Sequence, residues 1–503
     1  MNGPPGPRPA RRGFLGLLGA AALAGCSGRG TGSADADGTL TAVPLPESTS
    51  TPRDPQVVGP DPRTVRELET PWYERTATTT LSPAGRTVAF HPRPTGVPGL
   101  VGGGRFRRPG TEAAPARLDL LVQNTGDEAV TLARDPVPGR LVTPEDEAHA
   151  FLLPAIPPDD VAGDREGDEA ERDRQWFDGC WRGRPSGLWT GEVEVESGDA
   201  ESLVYFLVSA AEGPCLPVGT YAFETPFGWT FTLGVWRTDA PGPVERSRFA
   251  GTGVPDLPVD GPTAWFHRAD RTAEVYLRPS AERVPLSGGT ATLHVALFNH
   301  STDVLIGNPL EYELLKLHEE AWYHVVPFRL PNPEGHLPPG ATLEKLFELR
   351  HGPPIDRDDA IPVGHLGGGR YAVRFGMGRP DVPRQHAALL HLDAPRLELY
   401  PSPELRVSGR DSPEPLGWLD PDGGLFDAIV TATRTERPAD RAVLAEQVMH
   451  EPVLRNTLSL FEDHIETVEL HTRDRVAERL LRPHETLRVS FRGSTYELIR
   501  RDD

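Results

Sequence analysis

Two stretches of this chain repeat one another at low similarity, and that duplication restricts the fold more than any other feature. Leu118, Leu120 and Val122 alternate with other residues and end at Asn124 in the turn QNTGDE. Leu293, Val295 and Leu297 do the same and end at Asn299 in FNHSTD. A two-residue apolar period closed by Asn and a turn cluster marks a half-buried strand entering a loop. Val88-Ala89-Phe90-His91-Pro92 precedes the first copy, and Val275-Tyr276-Leu277-Arg278-Pro279 precedes the second. Val130-Thr131-Leu132 and Val304-Leu305-Ile306 follow the respective turns. Farther on, Gly198 leads to an apolar run at 203–207 and Gly340 to one at 346–349. Each copy closes on Gly-x-Tyr, at Gly219-Thr220-Tyr221 and Gly369-Arg370-Tyr371. Glycine permits the turn, and tyrosine can bury its ring while its hydroxyl stays bonded.

Short strands, few helical periods and 52 glycines with 54 prolines argue for a mainly β chain. The expected architecture is two Ig-like β-sandwiches in tandem, 63–240 and 255–395, followed by a small α+β domain, 396–503. A partial third sandwich with helical decoration is the alternative for the last part. Its elements are expected as a strand at 425–430, a helix from Pro438 through ADRAVLAEQVM and a second helix in VLRNTLSLFED. A hairpin is expected to follow, turning at Gly493-Ser494 with Leu487, Val489 and Phe491 inward. The run PPDDVAGDREGDEAERDR in the first copy reads as a solvated loop, with a cation or partner site as its functional alternative. The second copy, with Asn299-His300-Ser301, Trp322 to Pro327, PPG and GGRY, resembles the bacterial immunoglobulin-like domains of surface proteins. It is also similar to proteinase-inhibitor-like relatives of that fold. These motifs sit at turns and strand edges, so the resemblance implies fold and little chemistry.

The N-terminus reads as an address. Arg11 and Arg12 form a twin-arginine pair, an apolar run from Phe14 to Leu23 follows, and Leu23-Ala24-Gly25-Cys26 matches a lipobox. The run is too short to span a bilayer, which takes about 20 apolar residues, and has the length of a signal-peptide core. Residues 1–26 therefore resemble the signal peptide of a Tat-exported prokaryotic lipoprotein. That resemblance implies folding before export, lipidation of Cys26 and a chain fastened to the cell membrane facing the exterior. Residues 27–62, rich in Ser, Thr, Gly, Pro and Asp, read as a disordered linker. Lysine occurs only at 316 and 345, and the net charge is −21. A G+C-rich genome and a salt-loving source both fit, and the clear acidity favours the second, a haloarchaeon included. The same acidity excludes a general nucleic-acid binder, which needs a basic face.

Three cysteines remain to be placed. With Cys26 taken by lipid, Cys180 and Cys215 form an even pair in an exported chain and are expected to be disulfide-bonded. Trp176, Trp181 and Trp189 surround Cys180 in sequence, as packing or as a sugar or partner surface. The nearest histidine pairs, His386 with His391, His318 with His324 and His464 with His471, lack a metal-site pattern, so no metal or other cofactor is expected. A blue-copper site fails because neither Cys180 nor Cys215 has His and Met close behind it. No G-x-S-x-G or phosphate loop occurs, and Gly102 to Arg105 reads as a flexible loop. Asn299 heads a glycosylation sequon in an expected exposed turn, and turn capping is its plainer reading. The functional expectation is a non-enzymatic lipoprotein with a structural or binding role. Its partners would be the membrane, through the lipid, and an extracellular protein or polysaccharide. An inhibitor-like or ligand-capturing protein is the alternative, and a surface hydrolase with accessory sandwiches is a third.

Overall fold

The computed structural model describes residues 77–502, apart from internal stretches of which the longest are 142–148, 155–173, 184–191, 327–332, 380–384, 410–415 and 420–425. Arg11, Arg12, Cys26, the linker, most of the acidic run and Trp189 lie outside the described residues. The chain is mainly β and builds β-sandwiches, with the described α-helices confined to Ala445–His450, Pro452–Leu458 and Asp474–Ala477.

In the first sandwich one sheet rolls onto itself. From one edge the strands run Ala77–Leu81, Arg86–His91, Thr230–Arg237, Gly219–Glu224 and Val137–Leu141. They continue through Ala150–Pro154, Ala200–Ala210, Ala116–Asn124 and Leu100–Arg108. Leu81 bridges Gly110, just past the far edge, so the two edges meet. Closure satisfies edge amides that would otherwise invite another chain. The alternating residues Leu118, Leu120 and Val122 point into a core with Tyr205, Phe223, Trp229 and Phe231. On the opposite face Asp119 is buried, and its carboxylate accepts from Arg105, Arg107 and Arg117. Three guanidiniums offset the desolvation of one buried acid.

The second sandwich has two main sheets. One carries Thr263–Trp265, Gln385–Asp393, Gly369–Phe375, Glu313–His318 and Ala321–Val326, with Arg283–Pro285 also on Gln385–Asp393. The other carries Val275–Pro279, Thr290–Asn299, Thr342–Arg350 and Ile361–Val363. A core of Leu293, Val295, Leu297, Phe347, Val373 and Leu390 lies between them. The segment joining the sandwiches is structural: Phe249, Val254, Leu257 and Val259 cover Trp265, Leu315 and Trp322 on the outer face. The Trp322 indole donates to the Pro255 carbonyl at 2.9 Å.

The duplication is visible atom by atom. Asn124 Nδ2 donates to the carbonyls of Glu128 and Val195, at 2.6 and 3.0 Å. Asn299 Nδ2 donates to those of Asp303 and Leu337, at 2.8 and 2.9 Å. Gly198 N donates to Asn124 O and Gly340 N to Asn299 O, both glycines having positive φ. The Tyr221 and Tyr371 hydroxyls each donate four residues back, to Pro217 O and Gly367 O, both at 2.8 Å. This tyrosine corner is a device of Ig-like sandwiches.

Two sequence expectations need correction here. Val275–Pro279 pairs with the strand ending at Asn299, but Val88 to His91 pairs with Thr230–Arg237 instead. The strand pairing in register with Asn124 is Leu100–Arg108, so the Gly102 to Arg105 run is a buried strand rather than a loop. Its glycines admit bulk from across the core: a Cβ on Gly102 would lie 2.5 Å from the Trp229 ring. Asn299 is fully buried, its amide donates twice, and its Oδ1 accepts from Ser301 N at 3.2 Å, the bonding of a turn cap.

The C-terminal part is a seven-stranded sheet with the helices on it, in the order Arg406–Ser408, Leu416–Leu419, Thr467–Thr472, Ala428–Thr435, Ser494–Asp502, Thr486–Phe491 and Arg441–Ala442. Residues 438–444 are not helical, because Arg441 and Ala442 pair in parallel with Val489 and Ser490. Helix starts only at Ala445. Pro452 opens the next helix, with the Glu451 carboxylate accepting from Val453 N. The hairpin pairs Phe491 with Ser494, so Arg492 and Gly493 are the turn residues, at φ +51° and +83°. Two positive φ values match a type I′ turn.

Candidate functional site

The seams between successive parts are packed. At the first seam Gly234 and Gly340 approach so closely that a Cβ on Gly234 would lie 2.5 Å from Gly340 O. His91 Nε2–H donates to Pro339 O at 2.5 Å, which leaves Nδ1 to accept from Thr232 Oγ1 at 3.1 Å. Trp236 stacks on His300 with centroids 6.0 Å apart.

The second seam holds the most developed polar arrangement. Glu446, on the Ala445–His450 helix, is buried against the second sandwich. Its Oε1 accepts from Lys316 Nζ at 2.5 Å and Gly367 N at 3.1 Å, and shares with Gly367 O the single Tyr371 hydroxyl proton, at 3.1 Å from Oη. The Lys316 ammonium also lies 5.3 Å from the Tyr371 ring centroid. Burial, and then the Glu446 charge, hold the Tyr371 phenol protonated far above its usual range. Nearby, His365 Nδ1 bonds Tyr400 Oη at 3.0 Å, and Arg455 donates to Tyr400 O at 3.0 Å. The His365 and His450 rings lie 5.7 Å apart. Burial, with the Arg455 charge next, pushes His365 down to about 3; burial pushes His450 down to about 4. Both imidazoles are therefore neutral at pH 7.

A cleft of about 580 Å³ opens over this network. One wall comes from the second sandwich, with Lys316, Gly367 to Gly369, His391 and Asp393. The other comes from the C-terminal sheet and helix, with Val443, Glu446, Phe491 and Arg492. Both acids are paired: Glu446 with Lys316, and Asp393 with Arg283 at 2.6 Å and His391 at 3.0 Å. The size and mixed lining suit a small molecule.

Of the residues singled out in the sequence, His391 and the glycines of GGRY line this cleft, and the cysteines and tryptophans fall elsewhere. Cys180 and Cys215 are bonded in a disulfide, Cα atoms 5.8 Å apart. Trp176 and Trp181 meet edge to face at 5.8 Å beside it. They help to line a small, partly open pocket of about 30 Å³, too small for anything but water. Phe177, 63% exposed on the same hairpin, lies 5.4 Å from the Arg182 guanidinium. Among the described residues no group of three His, Cys, Asp or Glu side chains is placed to hold a metal ion. Sequence reasoning missed Glu446 and Tyr371 as partners, and the available signal was Lys316 itself, one of two lysines in the chain.

No protein-family model and no curated protein matches the chain. Among solved structures it is similar to a β-glucosidase from Listeria innocua in complex with gluconolactone, over 25% of this chain and 16% of that one, at 14% identity and a TM-score of 0.14. It is also similar to the native conformation of E. coli alpha-2-macroglobulin, over 69% of this chain and 20% of that one, at 10% identity and a TM-score of 0.14. The chain thus spans a fifth or less of these proteins, and superpositions this loose say nothing of chemistry. No helix among the described residues is long and apolar enough to cross a membrane.

Proposed function

We propose that this is a cell-surface lipoprotein of non-enzymatic role, exported through the Arg11-Arg12 signal and fastened by lipid on Cys26, which binds a ligand between its second sandwich and its C-terminal module. The observation that carries the binding part is the cleft walled by both modules, with all its carboxylates engaged in ion pairs. A floor held by Glu446, Lys316 and Tyr371 is pre-organised, which lowers the cost of binding. The cysteine pair joined as a disulfide supports an oxidising location. The acidic, lysine-poor composition supports a salt-rich one.

The tether is tested by fractionating cells that express the native chain or a Cys26→Ala variant. The native chain is expected in the membrane fraction and the variant in the soluble exported fraction. Equal membrane retention of both would contradict the anchor.

A further inference from the structure

We propose that the cleft at the second seam takes a small hydroxylated carboxylate, an acidic sugar residue of the uronic acid type, with its carboxylate held between Arg396 and Arg492. This rests on the binding role proposed above and names the ligand class of that same cleft.

The first observation is a charge imbalance. The chain is strongly acidic, and elsewhere its buried guanidiniums meet carboxylates: Arg374 meets Glu311 and Glu313, and Arg105 meets Asp119. Arg396 and Arg492 are exposed at the rim of the cleft, and among the described residues neither has an ion-pair partner; of the carboxylates, that of Glu398 lies near enough to act on Arg492, as does the Arg396 charge. Arg492 donates instead to Leu397 O at 3.1 Å, the carbonyl next to Arg396 in the chain, so both cations flank one mouth. Two adjacent guanidiniums repel one another, and a bound carboxylate removes that repulsion through charge-assisted bonds.

The second observation is backbone strain. Arg492 occupies φ +51° in a type I′ turn, where Asn or Gly is favoured. Its guanidinium lies over the Phe491 ring, 5.0 Å from the centroid, beside the cleft. The turn would be easier with glycine, so the side chain is the feature that needs a reason.

The rest of the lining sets the ligand class. His391, Asp393 and the backbone at Gly367 to Gly369 present polar atoms for hydroxyl groups, and the largely buried Leu397, Val443 and Phe491 contribute the apolar part of the lining. A simple inorganic anion would leave most of about 580 Å³ unfilled. The acid could arrive free or as a residue of an acidic polysaccharide.

The test is calorimetric titration of the purified full-length protein with glucuronate, digalacturonate, polygalacturonate, cellobiose and inorganic sulfate, at about 0.15 M salt where long-range screening is already strong. Saturable binding of digalacturonate is expected, with cellobiose and sulfate at least tenfold weaker. Arg396→Ala with Arg492→Gly is expected to weaken it at least tenfold; glycine suits the positive φ, and an unchanged melting curve checks the fold. Binding of the monomer as tight as the dimer assigns the site to the free acid, and tighter binding of the dimer and polymer assigns it to a chain. The proposal is overturned if no uronate binds, if the double variant binds unchanged, or if sulfate or cellobiose binds as well as the uronates. The titration does not depend on where the protein resides, so failure of the lipid tether and failure of this inference are separate results.

Discussion

Acidifying the protein from pH 7 to pH 4 is expected to weaken its fold by several kcal/mol. His386 is buried and His450 half-buried, and desolvation pushes each down to about 4. The charge of Arg379 adds to this at His386, and that of Arg455 at His450, while Glu446 opposes it there. An unfolded histidine takes its proton near 6.5, so below that pH the unfolded chain holds more protons than the folded one. The contribution is fully present above the unfolded value and is lost as pH falls toward 4. Each of the two loses about 3 kcal/mol over that window. Burial likewise pushes His267 down to about 4 and His365 to about 3, so both act in the same direction. Glu451 runs the other way: burial pushes its carboxyl up to about 6, so it disfavours the fold above that pH and relaxes as pH falls. Its opposing contribution is about 2 kcal/mol. The check is urea unfolding at a series of pH values. A steep loss between pH 6.5 and 4 is expected, shallower in His450→Gln. A flat profile would contradict the neutral, buried state of these rings.

Reducing the Cys180–Cys215 bond, or replacing both cysteines by alanine, should cost the first sandwich about 3–4 kcal/mol from restored chain entropy. The bond joins residues 35 apart in the chain. It also fastens a weakly held element, because Cys180–Gly183 pairs with Ala200–Ala210 over only two residues, Arg182 and Gly183. Calorimetry with and without reductant reads the loss, and the Cys180→Ala/Cys215→Ala variant should reproduce it. A melting transition indifferent to both would show that the hairpin holds without its bond.

The duplication was legible where a residue serves its own backbone. Asn124, Asn299, Tyr221 and Tyr371 each bond within their own sandwich, and their spacing to Gly198, Gly340, Gly219 and Gly369 carries the geometry in one dimension. The first-strand correspondence was not legible, because Val88 to His91 and Val275 to Pro279 share a pattern that any buried strand can carry. Sheet pairing between distant segments decides which is equivalent to which. The same limit hid Arg441 and Ala442, whose parallel partners lie at Val489 and Ser490, beyond both helices. The cleft was out of reach for a related reason. Glu446 sits 130 residues from Lys316 and reads as an ordinary solvent-facing helix acid until the two modules meet.

Intact mass spectrometry of protein extracted from washed membranes reads the mature form of the chain directly. A polypeptide beginning at Cys26, carrying added acyl mass and lacking two hydrogens for the Cys180–Cys215 bond, is the predicted species. A chain that still contains Arg11 and Arg12, recovered from the cell interior without acyl mass and with both thiols reduced, would contradict it.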